Sequence, residues 1–216
     1  MFIIVKSNAK IMNILLVILF GITLIYLCIT ERFRIHTKLI CFQGIILFAL
    51  AFWELEALTV GNLIFVASET LIFKAIAVPF LLLKIIKKTG EERVFKNDFH
   101  ELYSVVFISI GLVLSILIAY TMKLQVINTT YFIISLFGLY AGMYIIITHR
   151  KIFSHLIGFL IIENAVFLLS FAIGQEMPML INIAVLLDIF ASVLLLGIFA
   201  MRLKQNISDL TILKDE

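Results

Sequence analysis

Four ionisable side chains stand inside otherwise apolar stretches of this chain: Glu69, Lys74, Glu163 and Asp188. Glu163 is twelfth of the 24 residues Ile152–Gln175, Asp188 twelfth of the 25 residues Met177–Met201, and Glu69 thirteenth of the 27 residues Ala57–Leu83. Three carboxyl groups at nearly equal depth, with an amine five residues beyond one of them, are the parts of a proton relay. Apolar burial disfavours the charged form of either group and brings both towards the range where protons are exchanged. The plain alternative for any one of them is a buried structural hydrogen bond or ion pair. Three acids and a lysine near one level favour the relay. Glu69 and Lys74 are five apart, about 140° around a helix, so they are poor partners for each other. Lys74 better serves an acid on another helix.

A charge at mid-membrane costs roughly 2.5–3.5 kcal/mol on insertion scales. The Ile152–Gln175 stretch holds 14 Ile, Leu, Phe and Val residues, each favouring insertion by about 0.3–0.6 kcal/mol at the centre. The helix therefore inserts with its acid, provided that the acid faces other helices. Two patterns agree. Ala184, Asp188, Ala191 and Ser192 share one helical face, and so do Glu163, Ser170 and Gly174. Small residues on such faces let another helix approach closely.

The elements that would position these groups are membrane spans of about 20 apolar residues. The sequence predicts seven: Ile11–Thr30, Ile35–Trp53, Ala57–Leu83, Leu102–Met122, Asn128–Thr148, Ile152–Gln175 and Met177–Met201. Hydrophobic residues make up 63% of the 216 and charged residues 14%. The mean hydropathy is +1.17. Soluble domains carry about 25% charged residues, so a soluble enzyme and a disordered chain are both excluded. Strands of a membrane barrel would alternate in polarity, whereas these runs are continuous. The expected fold is an all-α polytopic bundle forming a single integral membrane domain over residues 1–216. Its first stretch reads as a retained helix.

Basic residues set the orientation. Connections after the first, third and fifth spans and the C-terminal tail, counted with Lys38, which can snorkel from near the end of the second span, hold 13 Lys and Arg residues, among them Arg32, Arg34, Lys87, Arg150, Lys151 and Arg202. The other side holds Lys6, Lys10 and Lys123. The N-terminus is expected outside and the C-terminus in the cytoplasm. Residues 84–101 form a mixed-charge cytoplasmic connection. His36, His149 and His155 fall near the cytoplasmic interface and His100 in that connection; scattered like this, they read as interfacial residues. Trp53 and the span-end tyrosines read as interface anchors. Cys28 and Cys41 lie in separate apolar stretches, with no spacing suited to zinc, haem or iron–sulfur ligation, so neither metal nor cofactor is expected.

The chain also resembles itself at an offset of 117 residues. RIHTKLICFQGII, from Arg34, matches KIFSHLIGFLIIE, from Lys151. Both lead from a basic loop into a span. This predicts two three-helix repeats in one orientation, residues 11–86 and 128–204, joined by a connecting helix at 102–122.

The segment HRKIFSHLIGFLIIENAVFLLS resembles the second helix of the three-helix K subunit of complex I and its relatives in multisubunit sodium/proton antiporters. INIAVLLDIFASVLLLGIFAMRL resembles the helix that follows, with Asp188 where that subunit has a second glutamate. The K subunit's first glutamate falls at Leu160 here, and Glu163 lies one turn along the same face. The whole chain is similar to hydrogenase-4 component E, a membrane subunit of formate hydrogenlyase-type complexes. FKAIAVPFLL carries the Lys74/Pro79 spacing of that family, and IIENA and DLTILK also match it. The resemblance implies a non-catalytic subunit without cofactors, beside antiporter-like and quinone-site-type anchor subunits in a prokaryotic cytoplasmic membrane. Redox chemistry would belong to separate soluble nickel–iron and iron–sulfur subunits. Proton or sodium movement would use Glu163 and Asp188, with Lys74 as charge partner. Nucleic acid is not an expected partner.

Two other functions compete: a purely structural subunit that positions antiporter-like subunits, or a subunit of a multisubunit cation/proton antiporter. An independent small-solute transporter is disfavoured, because no pair of Gly/Pro-broken helices marks a substrate site.

Overall fold

Within lipid a backbone segment must satisfy its own N–H and C=O groups, so a continuous apolar run has no alternative to the helix. The computed structural model describes residues 2–30, 32–54, 76, 80, 83, 101–122, 128–149 and 152–173. They form five long helices: α1 (Phe2–Ile29), α2 (Phe33–Glu54), α3 (Glu101–Met122), α4 (Thr129–Thr148) and α5 (Ile152–Ile173). Each is long and apolar enough to cross a membrane. They coincide with the first, second, fourth, fifth and sixth expected spans. The expected spans Ala57–Leu83 and Met177–Met201 lie outside the described residues, apart from Ile76, Phe80 and Leu83.

α1 begins nine residues before the apolar run starts at Ile11. Lys6, Ser7, Asn8 and Lys10 are polar but only weakly unfavourable in a helix, and extending an existing helix is far easier than starting one. The membrane-compatible part, Ile11–Ile29, keeps to the apolar run.

Pairwise contacts give the direction of each helix. Gln43 bonds Thr23 and the connection between Ile29 and Phe33 is three residues long, so α1 and α2 are antiparallel. Gly21 faces Ile134 and Gly138 faces Leu24, so α1 and α4 run parallel. Gly111 lies under the Tyr140 ring and Phe107 stacks on Tyr144 at 6.4 Å between ring centroids, so α3 opposes α4. The Asn128 N–H donates to the Ala172 carbonyl at 3.2 Å, which ties the start of α4 to the end of α5. α2 and α3 therefore run the same way, and Glu54 and Glu101 lie at opposite ends of the bundle.

The closest packing joins α4 to α5. A Cβ on Gly142 would stand 2.6 Å from the Gly158 carbonyl oxygen, and one on Gly158 would stand 2.7 Å from the Gly142 carbonyl oxygen. One turn away, a Cβ on Gly138 would meet the Ala165 methyl at 2.7 Å. Only hydrogen fits at these positions. Close backbone approach of this kind is what small residues supply where lipid removes the hydrophobic drive for association. α5 is enclosed on almost every side, leaving one stripe, His155, Phe159, Ile162, Val166, Leu169 and Ile173, partly open. Among its described side chains, α3 buries the narrow line Ser104, Ile108, Gly111, Ser115 and Ala119.

Two tyrosines expected as interface anchors belong instead to the core. Tyr131 and Tyr144 are buried between helices, because α4 is covered by neighbours near both of its ends. Tyr26, Tyr103 and Tyr120 are exposed.

Candidate functional site

Glu163 lies eleven residues into α5, about 16 Å along its axis, close to the middle of a hydrocarbon layer about 30 Å thick. It is 6% exposed. It shares one buried face of α5 with Leu156, Leu160, Phe167 and Ser170. The Ser170 hydroxyl donates to the Phe167 carbonyl at 2.6 Å, which satisfies it within its own helix. Of the residues expected at the site, Glu163 is the one the structure describes. Glu69, Lys74 and Asp188 lie outside the described residues, as do Pro79 and the small-residue face around Asp188.

Beside Glu163 a polar chain joins three helices. Asn164 Nδ2 donates to Gln43 Oε1 at 3.2 Å. Gln43 Nε2 donates to Thr23 Oγ1 at 2.9 Å. Thr23 Oγ1 donates to the Phe20 carbonyl at 2.6 Å. Gln43 and Asn164 are 0% and 3% exposed. Gln43 is ten residues into α2, about 15 Å from its start, so the chain crosses α1, α2 and α5 at the depth of Glu163. A buried polar group without a partner in hydrocarbon costs several kcal/mol; here the first link reaches from α5 to α2, and the last two lie within the α1–α2 pair. Sequence reasoning noted Asn164 only as part of a motif and passed over Gln43 and Thr23. An amide in mid-span was the available signal.

A second polar tier lies at the end where α2 begins and α4 stops. His36 is wholly buried and its Nδ1–H donates to the Arg32 carbonyl at 3.1 Å. His149 follows the last turn of α4 in extended conformation. Its backbone N–H and its Nδ1–H both donate to the Ile145 carbonyl, at 3.2 and 3.0 Å. Thr148 Oγ1 lies 2.8 Å from the same ring nitrogen. His149 is buried, and burial pulls its pKa below the ordinary histidine value, helped by repulsion from His155 and opposed by the Ile145 carbonyl. His36 and His149 thus sit inside the bundle, where the sequence led us to expect interfacial residues; His155 is exposed. Among the described residues no three His, Cys, Asp or Glu side chains converge to hold a metal. Cys28 and Cys41 form no disulfide.

No protein-family model, no curated protein and no solved structure matches the chain.

Proposed function

We propose that this chain is a non-catalytic membrane-arm subunit of an energy-converting, hydrogenase-type complex, in which buried carboxylates move protons or sodium ions. The observation that carries the reading is Glu163: a carboxyl group buried at mid-depth in a bundle of helices apolar enough to span a membrane. An ionisable residue in that position is costly to keep and marks an ion pathway by default. The motif resemblance around Glu163, Asn164, Lys74 and Pro79 supplies the class of complex. Asp188 is the proposed second carrier, Lys74 the charge partner and Glu69 a further site on the path.

The seven-span layout is part of the same proposal. It is supported by α2 and α3 running in one direction, since the stretch between Glu54 and Glu101 starts and ends at opposite ends of the bundle. The parallel courses of α1 and α4 are those required by two repeats in one orientation.

The decisive experiment measures ions taken up per electron transferred in membrane vesicles containing the intact complex. Glu163→Gln keeps the shape and most hydrogen bonding, so a structural role would tolerate it within about 1–2 kcal/mol. We expect turnover to persist and the ion ratio to fall sharply, with Asp188→Asn and Lys74→Met showing the same loss. Full ratios in assembled Glu163→Gln and Asp188→Asn complexes would reduce these acids to structural groups.

A further inference from the structure

Glu163 and Asn164 are consecutive, with Cα atoms about 3.8 Å apart, and both are buried. The chain Asn164–Gln43–Thr23 therefore starts one residue along α5 from the candidate proton carrier, on the adjoining face of the helix, and lies at the same depth. Each amide has two N–H donors and a carbonyl with two lone pairs. The bonds along the chain use one donor of Asn164, and one donor and one acceptor position of Gln43. The remaining positions suit water, which in a buried site needs two to four polar partners. Ile40 and Leu47 share the helical face of Gln43, and Ile157, Ile161 and Leu168 that of Asn164, by their spacing; all five are buried.

We propose that Gln43 and Asn164 are positioning residues for proton exchange at Glu163: they hold water beside the carboxyl group in an otherwise apolar seam. The inference rests on the reading of Glu163 as a proton carrier. In the step itself, a water molecule held by the amides passes a proton to the carboxylate. The O–H bond of that water breaks, the O–H bond of the acid forms, and the water recovers a proton from the next water in line. The amides keep their own protons throughout. Thr23 acts one place further out, by fixing the rotamer of Gln43.

The test is infrared spectroscopy of the full chain in lipid, following the carboxylic acid band that disappears in Glu163→Gln. Its hydrogen–deuterium exchange rate and its titration midpoint are both readable without assaying any complex. Gln43→Met keeps length and apolar packing but removes the amide. We expect it to slow exchange by about tenfold or more, the rate equivalent of one hydrogen bond lost to a developing charge. Gln43→Glu, measured at a pH where the new acid is protonated, restores a donor and an acceptor and should recover most of the rate. Thr23→Val should slow exchange severalfold, and it carries the test if Gln43→Met does not fold. Exchange unchanged in Gln43→Met, or in Thr23→Val where that variant stands in, would overturn the proposal. So would equal slowing in Gln43→Met and Gln43→Glu, which would mark a packing role. A Glu163 band that neither exchanges nor titrates in the unmodified protein would instead remove the carrier reading itself.

Discussion

A single buried imidazole carries a pH signature. His149 is held below the ordinary histidine pKa of 6.5, first by burial and then by His155. A base whose affinity for protons is weaker in the folded state takes up more protons on unfolding, so stability rises with pH across its titration. The contribution is complete above the unfolded value and is lost as pH falls through it. Thermal unfolding in detergent should therefore shift to lower temperature between about pH 7 and about pH 5, and His149→Gln should flatten that slope. An equal slope in His149→Gln would assign the effect to other groups. At this scale the sequence exposed the residue types but not their surroundings. That His36 and His149 are buried, and Tyr131 and Tyr144 with them, depends on which helices cover them. Position relative to a span end does not carry that information.

The elements themselves were legible. A run of apolar residues long enough to cross lipid is also long enough to force a helix; the five described helices end close to the expected bounds, and all but α1, which starts nine residues early, begin close to them. Their pairing was less legible. Gln43 and Asn164 are 121 positions apart, and their meeting depends on the rotation of two helices about their own axes, which a nearly uniform apolar surface does not reveal. The α4–α5 contact had a readable trace in the Gly138-x-x-x-Gly142 spacing, but the spacing alone does not name Gly158 and Ala165 as its partners. That seam makes a sharp prediction. In Gly142→Ala the new methyl would meet the Gly158 carbonyl, a backbone atom that cannot turn aside as a side chain can. Overpacking of this kind costs about 1–3 kcal/mol, measurable as a lower unfolding midpoint. Ile147→Ala, on the exposed side of the same helix, should stay within about 0.5 kcal/mol.

For the molecule as a whole, direction is the testable quantity. A reporter between Trp53 and Gly61 should lie outside the cell, whereas reporters within residues 84–101 and after Glu216 should be cytoplasmic. The first two flank the stretch that separates the parallel helices α2 and α3. If both reported the same side, the directions read from the α1–α4 and α3–α4 contacts would be wrong, and the charge count with them.

The three links of the polar chain also differ in when they can form. Residues emerge from the ribosome at about 5–20 per second, and Gln43 precedes Asn164 by 121 residues, so the residues of the α1–α2 hairpin are made roughly 6–24 s before Asn164. Two of the three bonds, Gln43 Nε2 on Thr23 and Thr23 on the Phe20 carbonyl, need nothing beyond that hairpin. The third bond, at Gln43 Oε1, requires α5. Within the polar chain the α1–α2 pair thus takes one bond from outside itself, at the Gln43 oxygen that meets α5. Order of synthesis is in this sense written into the direction of the hydrogen bonds.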